Sequence, residues 1–338
     1  MPPVSIIVPC YNEETTIRNL LEAIYAQTYP RADLEVIIAD GMSEDRTRAE
    51  IAAFADGHAD LPISVVDNPK RIIPAGVNLA IREAHGEIIV RLDGHSMPHP
   101  DYVEHCVADL QAGLGVNVGG IWEIRPGAET QIARAIAAAA AHPLGVGDAL
   151  YRHAAKPASV DTVPFGAFNR ELLATIGFFD ETLLTNEDYE FNARIRKSGG
   201  VIWLDPSIRS VYIARSTLGE LAKQYWRYGF WKWQMLRRYP STLRWRQGLP
   251  PLFVASLIGG AALSIFANLF RVLFAAEVAI YVLALAAAGF RSAVQKKDAS
   301  LIIGLPLAIS TMHIAWGTGF LWSMIKGSFT KPASSVKK

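Results

Sequence analysis

Val-Ser-Ile-Ile-Val-Pro-Cys-Tyr-Asn-Glu-Glu, residues 4–14, is a short apolar run that opens into an aromatic, amide and acidic loop. Its Ile and Val residues are nearly continuous, the pattern of a strand buried on both faces of a parallel sheet. This sets a first strand at Val4–Pro9, and the same pattern recurs at Leu34–Asp40, Ile63–Asn68 and Glu87–Asp93. Helix-like stretches at 13–28, 44–57 and 74–85 separate the four. Strand–helix–strand alternation predicts an α/β fold with a mixed, mainly parallel sheet and right-handed crossovers. Ligands of such sheets sit beyond the carboxyl ends of the strands. Asp40 and Asp93 end two of these strands, and Tyr11 follows another.

Further strands are expected at 115–126 and 161–170, with two short ones within 201–214. Helices are expected at 128–141, 187–198 and 217–238; the first includes the alanine run 135–141, and alanine is the best helix former. The net charge of +1 offers no bulk attraction for nucleic acid, so none is expected as a partner. Charged residues make up only 19% of the chain and the mean hydropathy is +0.19, which points to membrane segments. Cys10 and Cys106 form no metal or disulfide spacing, which fits a reducing compartment. Met-Pro-Pro leads straight into a strand, so no signal peptide is expected and the catalytic part is assigned to the cytoplasm.

The character of the chain changes near residue 240. Leu249–Phe270, Val272–Phe290 and Ala299–Ile325 are long apolar runs, each about long enough to cross a ~30 Å hydrocarbon core. Arg237, Arg238, Arg244 and Arg246 precede them and argue for a cytoplasmic start. Three crossings would leave Lys326, Lys331, Lys337 and Lys338 outside, unless the third run, broken by Gly304, Pro306, Gly317 and Gly319, turns back. Between the two parts, residues 217–246 mix Trp226, Trp231, Trp233 and Trp245 with Arg and Lys, as suits a helix at headgroup level or an aromatic face packed on a domain. The expected organisation is a catalytic domain at 1–215, interface helices at 216–247, a region of about three membrane segments at 248–326 and a basic tail at 327–338.

Four segments carry candidate chemistry. In the first, Tyr11 is suited to stack on a flat base and Glu13 to orient a ribose or a loop; the segment lacks the GxGxxG of a dinucleotide site. In the second, Asp40 stands before a glycine turn, where it can accept from a base or ribose, as any helix-capping aspartate can accept from backbone. In the third, Arg-Leu-Asp-Gly-His at 91–95, Asp93 and His95 are spaced to face one hard cation; imidazole suits Mn2+ better than Mg2+. In the fourth, Leu-Thr-Asn-Glu-Asp-Tyr-Glu at 184–190, Glu187 and Asp188 open a helix, where the dipole stabilises carboxylates. Asp188 is the choice for a base that takes a proton from an attacking hydroxyl. Phe165 and Gly166, within Phe-Gly-Ala-Phe, are expected in an acceptor wall or in plain core packing.

In this order the four segments resemble the family 2 glycosyltransferases of the GT-A fold, over about residues 4–235, and within them the exopolysaccharide-building members. The resemblance implies that Pro9, Tyr11 and Glu13 line the donor site and that Asp40 binds the uracil end of the nucleotide. It implies that Lys70 or Arg71 approaches the base or diphosphate and that Asn78 lies near the nucleotide pocket. Asp93 and His95 take the place of the DxD metal motif, and Asp188 in the Glu187–Asp188 pair is the catalytic base. Gln224 to Tyr228, with Arg227, resembles the QxxRW element of processive synthases. Two departures stand out: the metal motif reads Asp-Gly-His, and the QxxRW-like element ends in Tyr228. Few apolar runs follow, which argues against a self-contained polymer channel.

The expected activity is transfer of a sugar, glucose from UDP-glucose being the first guess, to a lipid-linked saccharide in cell-surface glycan synthesis. The mechanism would be inverting, with Mn2+ or Mg2+ as cofactor, in a multi-pass protein of the cytoplasmic membrane. Transfer to a polyprenyl phosphate, or processive synthesis, is the alternative within the class. A non-catalytic nucleotide-sugar binder is disfavoured by the intact Glu187–Asp188 pair, and a transporter by the two-thirds of the chain outside the apolar runs. Self-association is compatible with the sequence.

Overall fold

The computed structural model describes residues 1–328, so Lys331, Lys337 and Lys338 of the expected basic tail lie outside the described residues. The chain forms two compact units. The first comprises Met1–Glu123 and Leu150–Tyr212; the second comprises Ile124–Ala149 and the chain from Ile213 onward.

The strands are β1 Val4–Cys10, β2 Leu34–Asp40, β3 Ile63–Asp67, β4 Ile88–Arg91, β5 Met97–Pro98, β6 Asn117–Arg125, β7 Ala158–Ser159, β8 Ala167–Asn169 and β9 Ile202–Ile213. The helices are α1 Ile17–Tyr25, α2 Thr47–Gly57, α3 Ile73–Glu83, α4 Tyr102–Gln111, α5 Gln131–Ala140, α6 Pro143–Val146, α7 Leu172–Ile176, α8 Glu187–Lys197, α9 Leu218–Arg238, α10 Trp245–Leu263, α11 Asn268–Lys296 and α12 Leu301–Ser328. The strands form one mixed sheet in the order β3-β2-β1-β4-β8-β6-β9-β5, with β7 also on β9. β1 to β4 run parallel, in a register that sets Cys10 beside Asp40 and Asp40 beside Asp67. β8 is antiparallel to both β4 and β6.

Strand alternation feeds two cores, one on each face of the sheet. Ile6 and Val8 of β1 join Leu20, Leu21 and Ile24 of α1, Phe54 of α2 and Tyr102 of α4. Ile7 between them joins Val77 and Ile81 of α3 and Phe191 and Ile195 of α8. With both faces covered, β1 has no polar side to show, and this is why its sequence is continuous in Ile and Val.

Three strand expectations are corrected. β3 is the edge of the sheet, and Ser64, Val65 and Asp67 are exposed, so it is not buried on both faces. Of the strand expected at 161–170 only Ala167–Asn169 pairs, because Phe165 (φ 63°) and Gly166 (φ 80°) take left-handed conformations that no ladder accommodates. The two short strands expected within 201–214 are one strand, β9. Pro206 falls between Trp203 and Leu204, which pair β7, and Ser210 and Val211, which pair β5. A proline is tolerated in a strand where its missing N–H is not called on.

In the second unit, α12 packs against α5, α9, α10 and α11. Glycines set these distances. A Cβ at Gly229 of α9 would collide with the Trp316 carbonyl, and one at Gly319 of α12 with the Trp226 carbonyl. At Gly304 it would come within 2.7 Å of the Ala135 Cβ, so the small side chains of α5 let that helix lie close. Small residues at helix contacts let backbones approach in this way. Polar contacts join the apolar helices: Ser256 donates to Glu277, and His313 is hydrogen-bonded to Tyr281 (3.0 Å) and to the Leu144 carbonyl (2.8 Å).

The first of the three expected membrane runs divides differently. α10 ends at Leu263 and α11 begins at Asn268, so the run Leu249–Phe270 straddles a break. The apolar part of α10 rises about 22 Å from Leu249, short of the ~30 Å core. Two helices, Asn268–Lys296 and Leu301–Gly327, are long and apolar enough to cross a membrane. On α11, Leu273, Ile280, Leu283, Phe290 and Val294 are exposed, an apolar surface far larger than scattered surface leucines would give. α9 buries Leu221, Gln224, Tyr225 and Met235 on one face and exposes Trp226 and Arg227 on the other.

Replacing Gly319 by Val forces α9 and α12 apart. Gly319→Val is expected to cost about 2 kcal/mol, seen as a lower thermal midpoint of the full-length protein in detergent. Gly248→Ala, where no atom lies within 4 Å of the added Cβ, should leave the midpoint in place.

Candidate active site

The parallel strands end together, and the loops after them meet. Five of the six non-glycine residues with positive φ among the described residues, Asn12, Met42, Arg71, Phe165 and Asn186, lie in these loops, just before β8 or at the start of α8. Strained backbone gathered in one place marks a site whose geometry is held by the rest of the fold.

Its centre is Arg91, the last residue of β4 and 4% exposed. Its Nη2 lies 2.9 Å from Glu187 Oε1 and 3.2 Å from Asp93 Oδ1. One guanidinium therefore ties the metal-motif loop to the start of α8, across 96 residues of sequence. Arg91 Nε and Nη1 are buried without an acceptor among the described residues, and the guanidinium lies 5.9 Å from the Phe179 ring centroid. Glu187 is buried and Asp188 half-buried, and Asp188 Oδ1 accepts the Tyr189 backbone N–H at 2.7 Å. Burial raises the Asp188 carboxyl, the Glu187 charge adds to it, Arg91 opposes both, and the pKa is pushed up to about 6. That is the range in which a carboxylate serves as a general base near neutral pH.

Glu13 and His95 form the second element. Glu13 Oε1 meets His95 Nδ1 at 3.0 Å, and its Oε2 accepts from Thr16 at 2.5 Å. Burial alone would raise the Glu13 carboxyl, but these two partners hold it below its ordinary range. Gly94 makes the contact possible, since a Cβ there would press within 3.1 Å of Glu13 Cγ and Cys10 Cβ. Asp93 is one-quarter exposed, two positions from His95. Among the described residues no group of three or more acidic, His or Cys side chains gathers as a metal cage. Asp93 and His95 alone fit a hard cation that takes its remaining ligands from phosphate oxygens and water.

The ends of β1 to β3 form the third element. Asp40 has no exposed surface; it accepts from Ser43 N (3.0 Å), Ser43 Oγ (2.5 Å) and Arg48 Nε (2.5 Å). Burial would raise its carboxyl, but the Ser43 and Arg48 bonds prevail and keep it low. Its carboxylate is thus committed to shaping the Ser43 turn and holding Arg48, which also reaches Asp67 at 2.6 Å. Tyr11 is exposed, with the Arg71 guanidinium 5.6 Å from its ring centroid. Gly41 lets this ring lie on the backbone, since a Cβ there would meet Tyr11 at 3.1 Å. Pro9 is buried in β1, 3.3 Å from where a Gly76 Cβ would stand. Asn78 is 2% exposed; it donates to Phe179 O (2.9 Å) and Glu181 (3.0 Å) and accepts from Phe179 N (2.9 Å). Lys70 pairs with the same Glu181 at 2.5 Å. Asn78 and Lys70 therefore secure the 179–181 loop.

Phe165 and Gly166 adjoin Arg91, whose backbone N–H donates to the Gly166 carbonyl at 3.0 Å. Gln224 and Arg227 belong to the second unit, where Gln224 is buried and donates to the Tyr228 hydroxyl at 2.9 Å, and Arg227 is exposed.

Several contributors escaped the sequence reading. Arg91 had a signal, a lone charge in the apolar run Ile88-Ile-Val-Arg-Leu. Arg48, on an amphipathic helix, and Asp161, which accepts from the Tyr189 hydroxyl at 3.0 Å, had none.

A family model described as Glycosyl transferase family 2 matches residues 5–177. The dolichyl N-acetyl-alpha-D-glucosaminyl phosphate 3-beta-D-2,3-diacetamido-2,3-dideoxy-beta-D-glucuronosyltransferase of Methanococcus voltae is 28% identical over 337 residues, covering 97% of this chain and 98% of that one. The succinoglycan biosynthesis protein ExoA of Rhizobium meliloti (strain 1021) is 31% identical over 317 residues, 93% of each chain. Among solved structures, the mannosyltransferase PcManGT from Pyrobaculum calidifontis, in complex with GDP-Man and Mn2+, matches with a TM-score of 0.62 and 21% identity. The match covers 97% of this chain and 87% of that one, and it is a likeness of fold.

Removing Arg91 leaves Glu187 and Asp93 charged, close and unpaired. Arg91→Met is expected to cost about 3–5 kcal/mol in denaturant unfolding, and Glu187→Gln much less. A carboxylate raised to about 6 is protonated, and useless as a base, below that pH. The chemical step should therefore slow about ten-fold per pH unit below the midpoint. Glu187→Gln removes a charge that raises Asp188, so it should move the midpoint to lower pH; a shift upward would contradict this electrostatic account.

Proposed function

The chain belongs to glycosyl transferase family 2, and from that membership we propose that it moves a sugar from a nucleotide-sugar donor to a hydroxyl of a lipid-linked saccharide, with inversion at the anomeric carbon. It is a glycosyltransferase with the GT-A fold. The observation that carries the finer reading is the Arg91 bridge, which holds Glu187, and with it the neighbouring Asp188 whose pKa is raised to about 6, to the Asp93 loop.

The geometry supports the following roles. Asp188 takes the proton of the acceptor hydroxyl as its oxygen attacks the anomeric carbon. Arg91 and Glu187 fix Asp188 in place. Tyr11 and Arg71, exposed together, receive the base and one end of the diphosphate. Asp93 and His95, the latter oriented by Glu13, would hold Mn2+ or Mg2+, which when bound neutralises charge on the leaving diphosphate. Asp40 acts on the nucleotide through Ser43 and Arg48. We take UDP-glucose as the first donor to test.

The lipid part of the acceptor is supported by two facts. The Methanococcus voltae relative acts, by its name, on a dolichyl-linked sugar phosphate, and the Rhizobium meliloti relative is named for succinoglycan biosynthesis. The exposed apolar surface of α11 is suited to lipid. We place α11 and α12 in the membrane, with the catalytic unit on the cytoplasmic side, where Arg237, Arg238, Arg244 and Arg246 precede the apolar helices.

The test is nucleoside diphosphate release by the full-length protein, with UDP-, GDP- and TDP-sugars, Mn2+ or Mg2+, and extracted lipid acceptors. Release that requires the lipid extract is the expected result, and Asp188→Asn should lower it by about 10³-fold or more while nucleotide binding persists. Wild-type-like turnover by Asp188→Asn would remove the base assignment.

A further inference from the structure

Around Phe165 the first unit carries an aromatic cluster whose other rings have been given no role. Trp122 of β6 stacks on Tyr212 of β9, with ring centroids 4.3 Å apart and planes 8° from parallel. Tyr151 meets Trp122 edge-on at 5.1 Å, and Phe165 lies 6.0 Å from it. The Arg152 guanidinium, 8% exposed, sits 4.8, 5.4 and 5.7 Å from the Trp122, Tyr151 and Tyr212 rings. All four rings are only half-buried, whereas rings used purely for packing, such as Phe54, Phe168 and Phe191, are buried completely. The Trp122 indole N–H is enclosed without an acceptor among the described residues. An unmet buried donor is a cost that a native structure rarely carries without use.

The cluster is tied to the catalytic residues by one segment. Asp161 accepts from the hydroxyl of Tyr189, the neighbour of Asp188; Thr162 accepts from Asn192 at 2.9 Å; and the Gly166 carbonyl accepts from Arg91. Phe165 lies between these contacts and Trp122. A ring platform fixed this firmly to the base suits a ligand that must present one hydroxyl to it.

We propose that Trp122, Tyr151, Phe165 and Tyr212 form the acceptor-sugar subsite, on which a pyranose ring of the acceptor lies; this rests on the reading of the chain as a transferase to a saccharide. The C–H-bearing face of a pyranose is slightly positive and packs on the negative face of an aromatic ring. A sugar hydroxyl, or a water carried with it, meets the Trp122 N–H. Arg152 braces the Trp122, Tyr151 and Tyr212 rings by its cation–π contacts.

The experiment uses the full-length protein in detergent with UDP present, and methyl glycosides of glucose, galactose and N-acetylglucosamine as probes, read by saturation-transfer NMR and calorimetry. The wild type should bind at least one of them. Trp122→Ala should weaken that binding about ten-fold and leave UDP affinity unchanged; Trp122→Phe should stay within about three-fold. If Trp122→Ala does not fold, Tyr212→Leu, which removes the stacked partner, carries the same expectation. Binding by Trp122→Ala within two-fold of wild type, or no binding of any probe by the wild type, overturns the subsite. Nucleoside diphosphate release with lipid extract is measured alongside. Release whose acceptor KM ignores Trp122 sinks the subsite and spares the transferase reading; Trp122-dependent glycoside binding without release does the reverse.

Discussion

A single buried cation holds the catalytic unit in its working arrangement. Arg91 is carried to the end of β4 by a strand with no polar face, and there it meets Asp93 and Glu187. Desolvating a guanidinium is unfavourable unless anions stand within hydrogen-bond reach, so both carboxylates are drawn to it. Burial works against its charge, and Asp93, Glu187 and Asp188 more than offset that, so the guanidinium is held more firmly protonated than usual. The start of α8 and the Asp93 loop are thereby tied to one guanidinium. Burial and the neighbouring Glu187 charge raise the Asp188 pKa against the pull of Arg91.

The surrounding loops serve the same constraint. Asp40 is spent on Ser43 and Arg48, Asn78 on the 179–181 loop, and Glu13 on His95. Each looks like a ligand contact when read along the chain. In the fold each holds in place another side chain or loop that is better exposed. Tyr11 and Arg71 stay exposed at this edge, while the buried groups fix the geometry at low conformational freedom. Fixed polar groups around the site of developing charge are what electrostatic catalysis needs.

The second unit obeys a different rule. Its last three helices, α10 to α12, are apolar nearly all round, so no amphipathic pattern says which of their faces packs. Contacts are set by where the backbone can come close, at Gly229, Gly289, Gly304, Gly317 and Gly319. The alanine-rich α5, distant in sequence, belongs with these helices because it is small enough to fit against Gly304.

The amino-acid sequence by itself determined the strand–helix order, the parallel half of the sheet and the acidic segments that meet at its carboxyl edge. Those features rest on local periodicity and on residue chemistry, both of which can be read in order along the chain. The sequence also showed that the carboxyl-terminal part is apolar enough for a membrane, though it ran α10 and α11 together, because hydropathy carries no record of the break between Leu263 and Asn268. Tertiary structure alone decided that β3 is an edge, that Phe165 and Gly166 turn left-handed so that only Ala167–Asn169 pairs as a strand, and that residues 124–149 group with the distant helices. It alone decided that Arg91, Asp93 and Glu187 share one bridge. Such outcomes depend on which groups are brought together from far apart and desolvated as a set, and neither propensity nor spacing encodes that.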